Sequence, residues 1–155
     1  MNSLPEYTDV LVVGAGPTGA SLGAYLARQG INVVVIDKKE QAEQHSKAGN
    51  LWPRTLELLG GMVPEAIERI MPKSAPLKTL SIYAYGSHMV DAPNDQFDSP
   101  YPAAIINGQD VIEGSLWETL VAFNKPVYHS TAFLKSTEYE SYVEALLSSN
   151  GSEHV

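Results

Sequence analysis

Val10-Leu11-Val12-Val13 is an unbroken apolar run with no polar alternation, the pattern of a parallel strand covered on both faces. A helix is predicted next, from Pro17 to Gln29. Leu22, Tyr25 and Leu26 recur in it at helical spacing among the small residues Gly19, Gly23 and Ala27. Pro17 suits a first helical turn, where a missing N–H costs nothing, and Gly30 suits the stop. Ile31 to Ile36 is a second β-branched strand that ends at Asp37. Strand, helix and strand with tight connections make a crossover unit whose two strands lie parallel.

The middle of the chain is less regular. Arg54 to Leu59 and Pro64 to Met71 read as short helices, and Leu80 to Tyr85 as a strand. Gly86 to Tyr101, with Pro93, Asn94, Asp95, Ser99 and Pro100, reads as a loop or a loosely paired strand. Ala103 to Ile106 is a short strand. Gln109 to Phe123 is an amphipathic helix with Ile112, Leu116, Leu120 and Phe123 on one side. Val127 to Ala132 and Tyr142 to Leu147 are predicted strands. Asn150-Gly151 is the preferred pair for a type I′ hairpin turn, which needs a further strand after it. Only Ser152 to Val155 remain, so the pattern leads one to expect truncation shortly after a hairpin turns.

Gly14-x-Gly16-x-x-Gly19 falls between the first strand and the first helix. In such a motif the first glycine permits a tight turn. The second lets a pyrophosphate approach the backbone, and the third lets the helix pack close to the strand. The helix start, at Pro17 and Thr18, then offers unpaired N–H groups and a positive dipole end to phosphates. A glycine-rich turn without a ligand is the alternative, and the strand and helix on either side weigh against it. Asp37, about 20 positions beyond the glycines, is placed to accept hydrogen bonds from an adenosine ribose. It is otherwise a surface Asp at a strand end. A carboxylate there repels a 2′-phosphate, which favours FAD or NAD over NADP, although Lys38 and Lys39 soften that exclusion.

Composition narrows the picture. The chain has 155 residues, one domain's worth, with 44% hydrophobic residues, enough for a core. The net charge of −8 disfavours a nucleic-acid partner. Without cysteine there are no disulfides, thiolate catalysis or Cys-ligated metals. No apolar run reaches the roughly 20 residues a membrane span needs. Met1 to Thr8 lack the pattern of a secretory signal, so the expected location is intracellular and cytoplasmic. His45, His88, His129 and His154 are scattered and show no metal-ligand spacing. Tyr83, Tyr85 and Tyr101 suit a sheet better than a substrate pocket. Ser115 has no Gly-x-Ser-x-Gly setting, so a hydrolase elbow is unsupported, and no catalytic residue can be named.

DVLVVGAGPTGASLGAYLARQGINVVVID, with its Gly16-Pro17 pair, resembles the opening of the FAD-dependent aromatic-ring hydroxylases, the para-hydroxybenzoate and phenol hydroxylase class. Ser46 to Gly49 and Trp52 to Leu59 resemble the segment after the second strand, where members often read Arg-Ala-x-x-Leu and then Arg-Thr-Leu-Glu. Lys47 stands where the first Arg of that pattern approaches the flavin phosphates. It keeps the charge but not the two-pronged donor. Gln109, with Glu113 after it, resembles the glutamine that opens the family's long helix and reaches the ribityl and phosphate region.

The resemblance implies an α/β, Rossmann-like βαβ FAD-binding domain with a parallel sheet, incomplete at the C-terminus. Residues 1–155 would be its N-terminal part, with the substrate-binding domain largely absent. The cofactor implied is FAD, held by Gly14, Gly16, Pro17, Thr18, Gly19, Asp37, Lys38, Lys47 and Gln109. In that class NAD(P)H reduces the flavin, and an oxygen atom from O₂ goes to an activated, often phenolic ring, in aromatic breakdown or secondary metabolism. Two later motifs of the family, Asp-Gly and Gly-Asp, have no counterpart in the second half, where Asp110 is the last Asp. The chain alone is therefore expected to be inactive, with a second polypeptide one source of the missing half. Two other readings stay open: an NAD-binding Rossmann oxidoreductase, and a non-catalytic nucleotide-binding remnant.

Overall fold

The computed structural model describes residues 3–41, 49–149 and 151–155. Along the chain these form β1 (Val10–Val13), α1 (Pro17–Arg28), β2 (Val33–Ile36), β3 (Asn50–Leu51), α2 (Pro53–Met62) and α3 (Pro64–Ile70). A 3-10 turn (Met71–Lys73) leads to β4 (Ala75–Leu77), β5 (Thr79–Ala84), β6 (Ser87–Pro93) and β7 (Ala104–Ile106). Then come α4 (Gln109–Ala122), β8 (Val127–Tyr128), β9 (Thr131–Glu138), β10 (Val143–Ser149) and β11 (Ser152–His154). They belong to two units: Met1–Glu43 with Leu116–Val155, and Gln44–Ser115.

The first unit holds a parallel sheet in the order β1-β2-β8, in register from Val10↔Val33 to Val13↔Ile36. Every residue of the central strand β2 is buried, as its β-branched run predicts. Because side chains alternate along a strand, the two faces of β2 serve different neighbours. Val35 faces α1 at Gly23, where an added Cβ would come within 2.5 Å of Val35 Cγ2 and 3.5 Å of Leu120 Cδ2 of α4. Val34 and Ile36 pack with Leu147 of β10 and with Leu4, Leu11, Tyr128 and Ala145. The expectation of two covered faces fails for β1, which lies at the sheet edge and leaves Val13 57% exposed.

The second sheet of this unit is antiparallel, β11-β10-β9. The hairpin expected from Asn150-Gly151 is present: Ser149 pairs with Ser152, and Gly151 has φ +81°. The turn type itself lies outside the described residues, because Asn150 is not among them. The single strand expected over Val127 to Ala132 is two. Ser130 takes a left-handed φ of 51°, which breaks the chain between β8 and β9 and lets β9 run on to Glu138 against β10.

The second unit pairs β3, β7 and β4 in an antiparallel sheet and buries Leu56 and Leu59 of α2, Val63 between the helices, and Ala66, Ile67 and Ile70 of α3. Of the two readings for Gly86 to Tyr101, loop or loosely paired strand, the strand holds from Ser87 to Pro93, which pairs with β5 in a hairpin. Tyr85 (φ 50°) and Gly86 (φ 78°) are both left-handed, which gives the hairpin a type I′ turn. β6 stops at Pro93. Asn94 is buried there, donating from its backbone N–H to Lys78 O and from Nδ2 to Leu77 O, both at 2.7 Å.

Candidate functional site

The loop from Gly14 to Gly19 turns from β1 into α1 under tight constraint. Gly14 has φ +98°, a region that L side chains rarely adopt, and its N–H donates to Ile36 O of β2 at 2.8 Å. Gly16 is the N-cap residue of α1, with no side chain to cap the helix, and Pro17 follows at the first helical position. The Ala20 N–H is the first to find a helical acceptor, Gly16 O at 2.9 Å. The N–H groups of Gly16, Thr18 and Gly19 have no hydrogen-bond partner among the described residues. Three unsatisfied donors at a helix start are the arrangement by which helix N-termini attract anions. At Gly19 an added Cβ would overlap the Gly14 carbonyl oxygen, so helix and loop approach as closely as this motif requires.

Ala15, between the glycines, is fully buried, and both of its backbone polar groups are taken. Its N–H donates to Asp37 Oδ2 at 2.7 Å, and its carbonyl accepts the Trp117 indole N–H at 2.8 Å. Asp37 is held in turn. Its own N–H donates to Tyr128 O, its carbonyl accepts the Thr131 N–H, and its Oδ1 accepts the Lys39 N–H at 2.9 Å. A carboxylate accepts at about four sites. Two are used here, which leaves two open.

The loop and α1 border an open groove of about 550 Å³ lined by Val10 to Gly14, Gly16 to Gly19 and Leu22. Apolar side chains along β1 and free N–H groups at the loop suit a ligand that pairs a diphosphate with flat, largely apolar groups. A glycine-rich loop, three free donors and a carboxylate with open acceptor positions together fit an adenine dinucleotide.

Gly14, Gly16, Pro17, Thr18, Gly19 and Asp37 thus come together in the first unit. Lys38 follows Asp37 as an exposed side chain. Lys47 lies outside the described residues. Gln109 opens α4 in the second unit, where its Nε2 donates to the buried Glu113 at 2.8 Å. A carboxylate only accepts, so the amide oxygen of Gln109 faces away from Glu113. Arg54, near the start of α2, pairs with Glu57 at 2.9 Å. The Ser99 hydroxyl and then the Arg54 guanidinium hold the Glu57 carboxyl below the ordinary range. Among the described residues no cluster of His, Asp and Glu could hold a metal ion, and no helix is long and apolar enough to cross a membrane.

Sequence reasoning missed Trp117. Its partner lies 102 positions away, and nothing near it in the sequence marks the contact.

A parallel βαβ unit with a glycine-rich phosphate loop and an acidic residue ending its second strand defines a Rossmann-type dinucleotide-binding protein. The FAD binding domain family matches residues 7–154, and the chain belongs to that family. FAD is accordingly the dinucleotide this site is built for, which sets aside the NAD reading.

Aklavinone 12-hydroxylase of Streptomyces purpurascens is 44% identical over 61 residues, 38% of this chain and 11% of that protein. The 2,4-dichlorophenol 6-monooxygenase of Cupriavidus pinatubonensis is 44% identical over 63 residues, 41% of this chain and 10% of that protein. Among solved structures, p-nitrophenol 4-monooxygenase from Pseudomonas putida superposes with a TM-score of 0.82 at 19% identity, over 94% of this chain and 37% of its own. An aklavinone-11 hydroxylase complex with FAD and aklavinone gives 0.77 at 23% identity, over 98% and 31%. These structures share the fold. The chain spans about a tenth of the first two proteins and about a third of the structures.

Proposed function

We propose that the chain is the N-terminal part of the FAD-binding domain of a flavin-dependent monooxygenase that hydroxylates an aromatic or related small molecule. The observation that carries this reading is the diphosphate cradle of Gly14 to Gly19 with Asp37, in a chain of the FAD binding domain family. The names of the relatives supply the reaction class: two hydroxylate or oxygenate ring compounds.

In this reading the N–H groups of Gly16, Thr18 and Gly19 hold the diphosphate, with Pro17 shaping the helix start. Asp37 accepts from the ribose hydroxyls, with Lys38 beside it. Lys47 and Gln109 complete the protein's contacts to the phosphates and the ribityl chain. Bound FAD supplies the redox chemistry and oxygen activation, with NAD(P)H as reductant. The residues present bind and orient the cofactor. Residues that select and shield the substrate come from additional polypeptide, in the same or a second chain. The protein works inside the cell, where NAD(P)H is available.

The test is a titration of the purified chain with FAD, followed by flavin fluorescence, with Asp37→Ala and Gly16→Val as controls. Saturable binding that weakens in both variants is expected. A folded chain that does not bind FAD overturns the reading.

A further inference from the structure

We propose that Trp117 is a positioning residue for the diphosphate cradle: its indole N–H holds the Ala15 carbonyl and thereby aims the neighbouring N–H groups at the ligand. The inference rests on the FAD reading above and goes beyond it, because Trp117 belongs to neither the glycine motif nor the acidic position.

The Ala15 peptide groups lie at the centre of the loop and are shut off from water, since Ala15 is fully buried. A buried carbonyl without a partner costs about 1–3 kcal/mol, so something must satisfy it. Within a helix that partner would be the N–H four residues on, which is Gly19's. Here Trp117 Nε1 takes the place at 2.8 Å, and the Gly19 N–H remains free. Asp37 holds the Gly14–Ala15 peptide plane through the Ala15 N–H, and Trp117 alone holds the next plane, between Ala15 and Gly16, through the Ala15 carbonyl. That plane carries the Gly16 N–H, one of the three free donors.

Trp117 is itself held. Its ring meets that of His129 edge to face, with centroids 4.6 Å apart and planes at 66°. Its flanking residues Leu116 and Leu120 are fully buried, so α4 cannot slide without opening the core. A planar indole with one rigid donor suits this task better than a flexible hydroxyl or amide.

The test is Trp117→Phe, which keeps a ring against His129 and removes the N–H. FAD, ADP and adenosine are titrated against parent and variant by calorimetry, and amide exchange of Ala15 is read by NMR in the free proteins. FAD and ADP are expected to bind roughly five- to tenfold more weakly, the scale of one lost hydrogen bond. Adenosine has no phosphate and should be unaffected, while Ala15 should exchange faster. Equal loss for all three ligands marks a merely structural role and overturns the proposal, as do unchanged FAD and ADP affinities.

If the parent binds neither FAD nor ADP, the FAD reading fails. Exchange at Ala15 then decides the role of Trp117 in the loop by itself, and no acceleration overturns it. If the variant does not fold, the indole protons of the parent chain are compared. Protection at Trp117 but not at Trp52 upholds the bond, and equal exchange overturns it.

Discussion

Replacing Gly19 with alanine should destabilise the protein, although alanine is the better helix former. The new Cβ would overlap Gly14 O and lie 3.1 Å from Gly14 C and 3.3 Å from Val12 Cγ1. The first two atoms are backbone, in a loop tied to Ile36 and Asp37, so they cannot rotate away as a side chain would. Overpacking of this kind costs about 1–3 kcal/mol, and the rigid neighbour places it at the upper end. Helix propensity returns about 1 kcal/mol. The net loss is therefore about 2 kcal/mol, or roughly 4–8 °C in Tm for a chain of this size. Gly114, within α4, is the matched control: a Cβ there meets nothing within 4 Å. Gly114→Ala should gain about 1 kcal/mol, or roughly 2–4 °C. Circular dichroism melts of parent and variants read both shifts, and a FAD titration of Gly19→Ala should show weaker binding as α1 is pushed from the loop. A Gly19→Ala protein that melts at or above the parent would refute the close-approach argument.

Leu120→Ala removes a fully buried side chain that packs over Gly23, and should cost about 3 kcal/mol in a urea unfolding experiment. Lys125→Met breaks the 2.6 Å bond from Lys125 Nζ to Asn32 Oδ1, and should lower stability by about 1.5 kcal/mol in the same assay. Hydrogen bonds from Ser81 and then His88 lower the pKa of Asp91 in the β5–β6 hairpin. A carboxylate with a depressed folded pKa stabilises above its unfolded value and loses that contribution as pH falls through the folded one. The hairpin's NMR signals should therefore broaden on acidification below the ordinary Asp range, and Asp91→Asn should abolish that pH dependence.

The first 37 residues were legible because every level agreed: an apolar run, glycines at fixed spacing, Pro17 at a helix start and an acid at a strand end. The helices α2, α3 and α4 were legible from their buried faces. β3 and β4 were not, because two or three residues are too few for a period, and their pairing with β7 is purely tertiary. β6 was read as a loop or loose strand because nearly all of it is exposed, which removes the hydrophobic alternation that marks a strand. The edge position of β1 was invisible too, since an apolar run carries no information about how many neighbours a strand has. At the site, the glycines and Asp37 could be read because their spacing is local. Trp117 could not, because its bond is made by folding.

The two ties on Ala15 differ in the length of chain each must close. The bond to Asp37 spans 22 residues and that to Trp117 spans 102. Loop-closure entropy makes the longer closure costlier by about 1.4 kcal/mol. The cradle is thus expected to assemble in two stages. The glycine turn and Asp37 meet as β1 and β2 pair, and the indole bond forms when α4 docks. In a stopped-flow experiment a change in Trp117 fluorescence that precedes β1–β2 pairing would contradict this order. The glycine loop is therefore first closed over a short stretch of chain and is locked only when distant residues arrive, so a polypeptide emerging from the ribosome carries an unlocked glycine loop until α4 has been made.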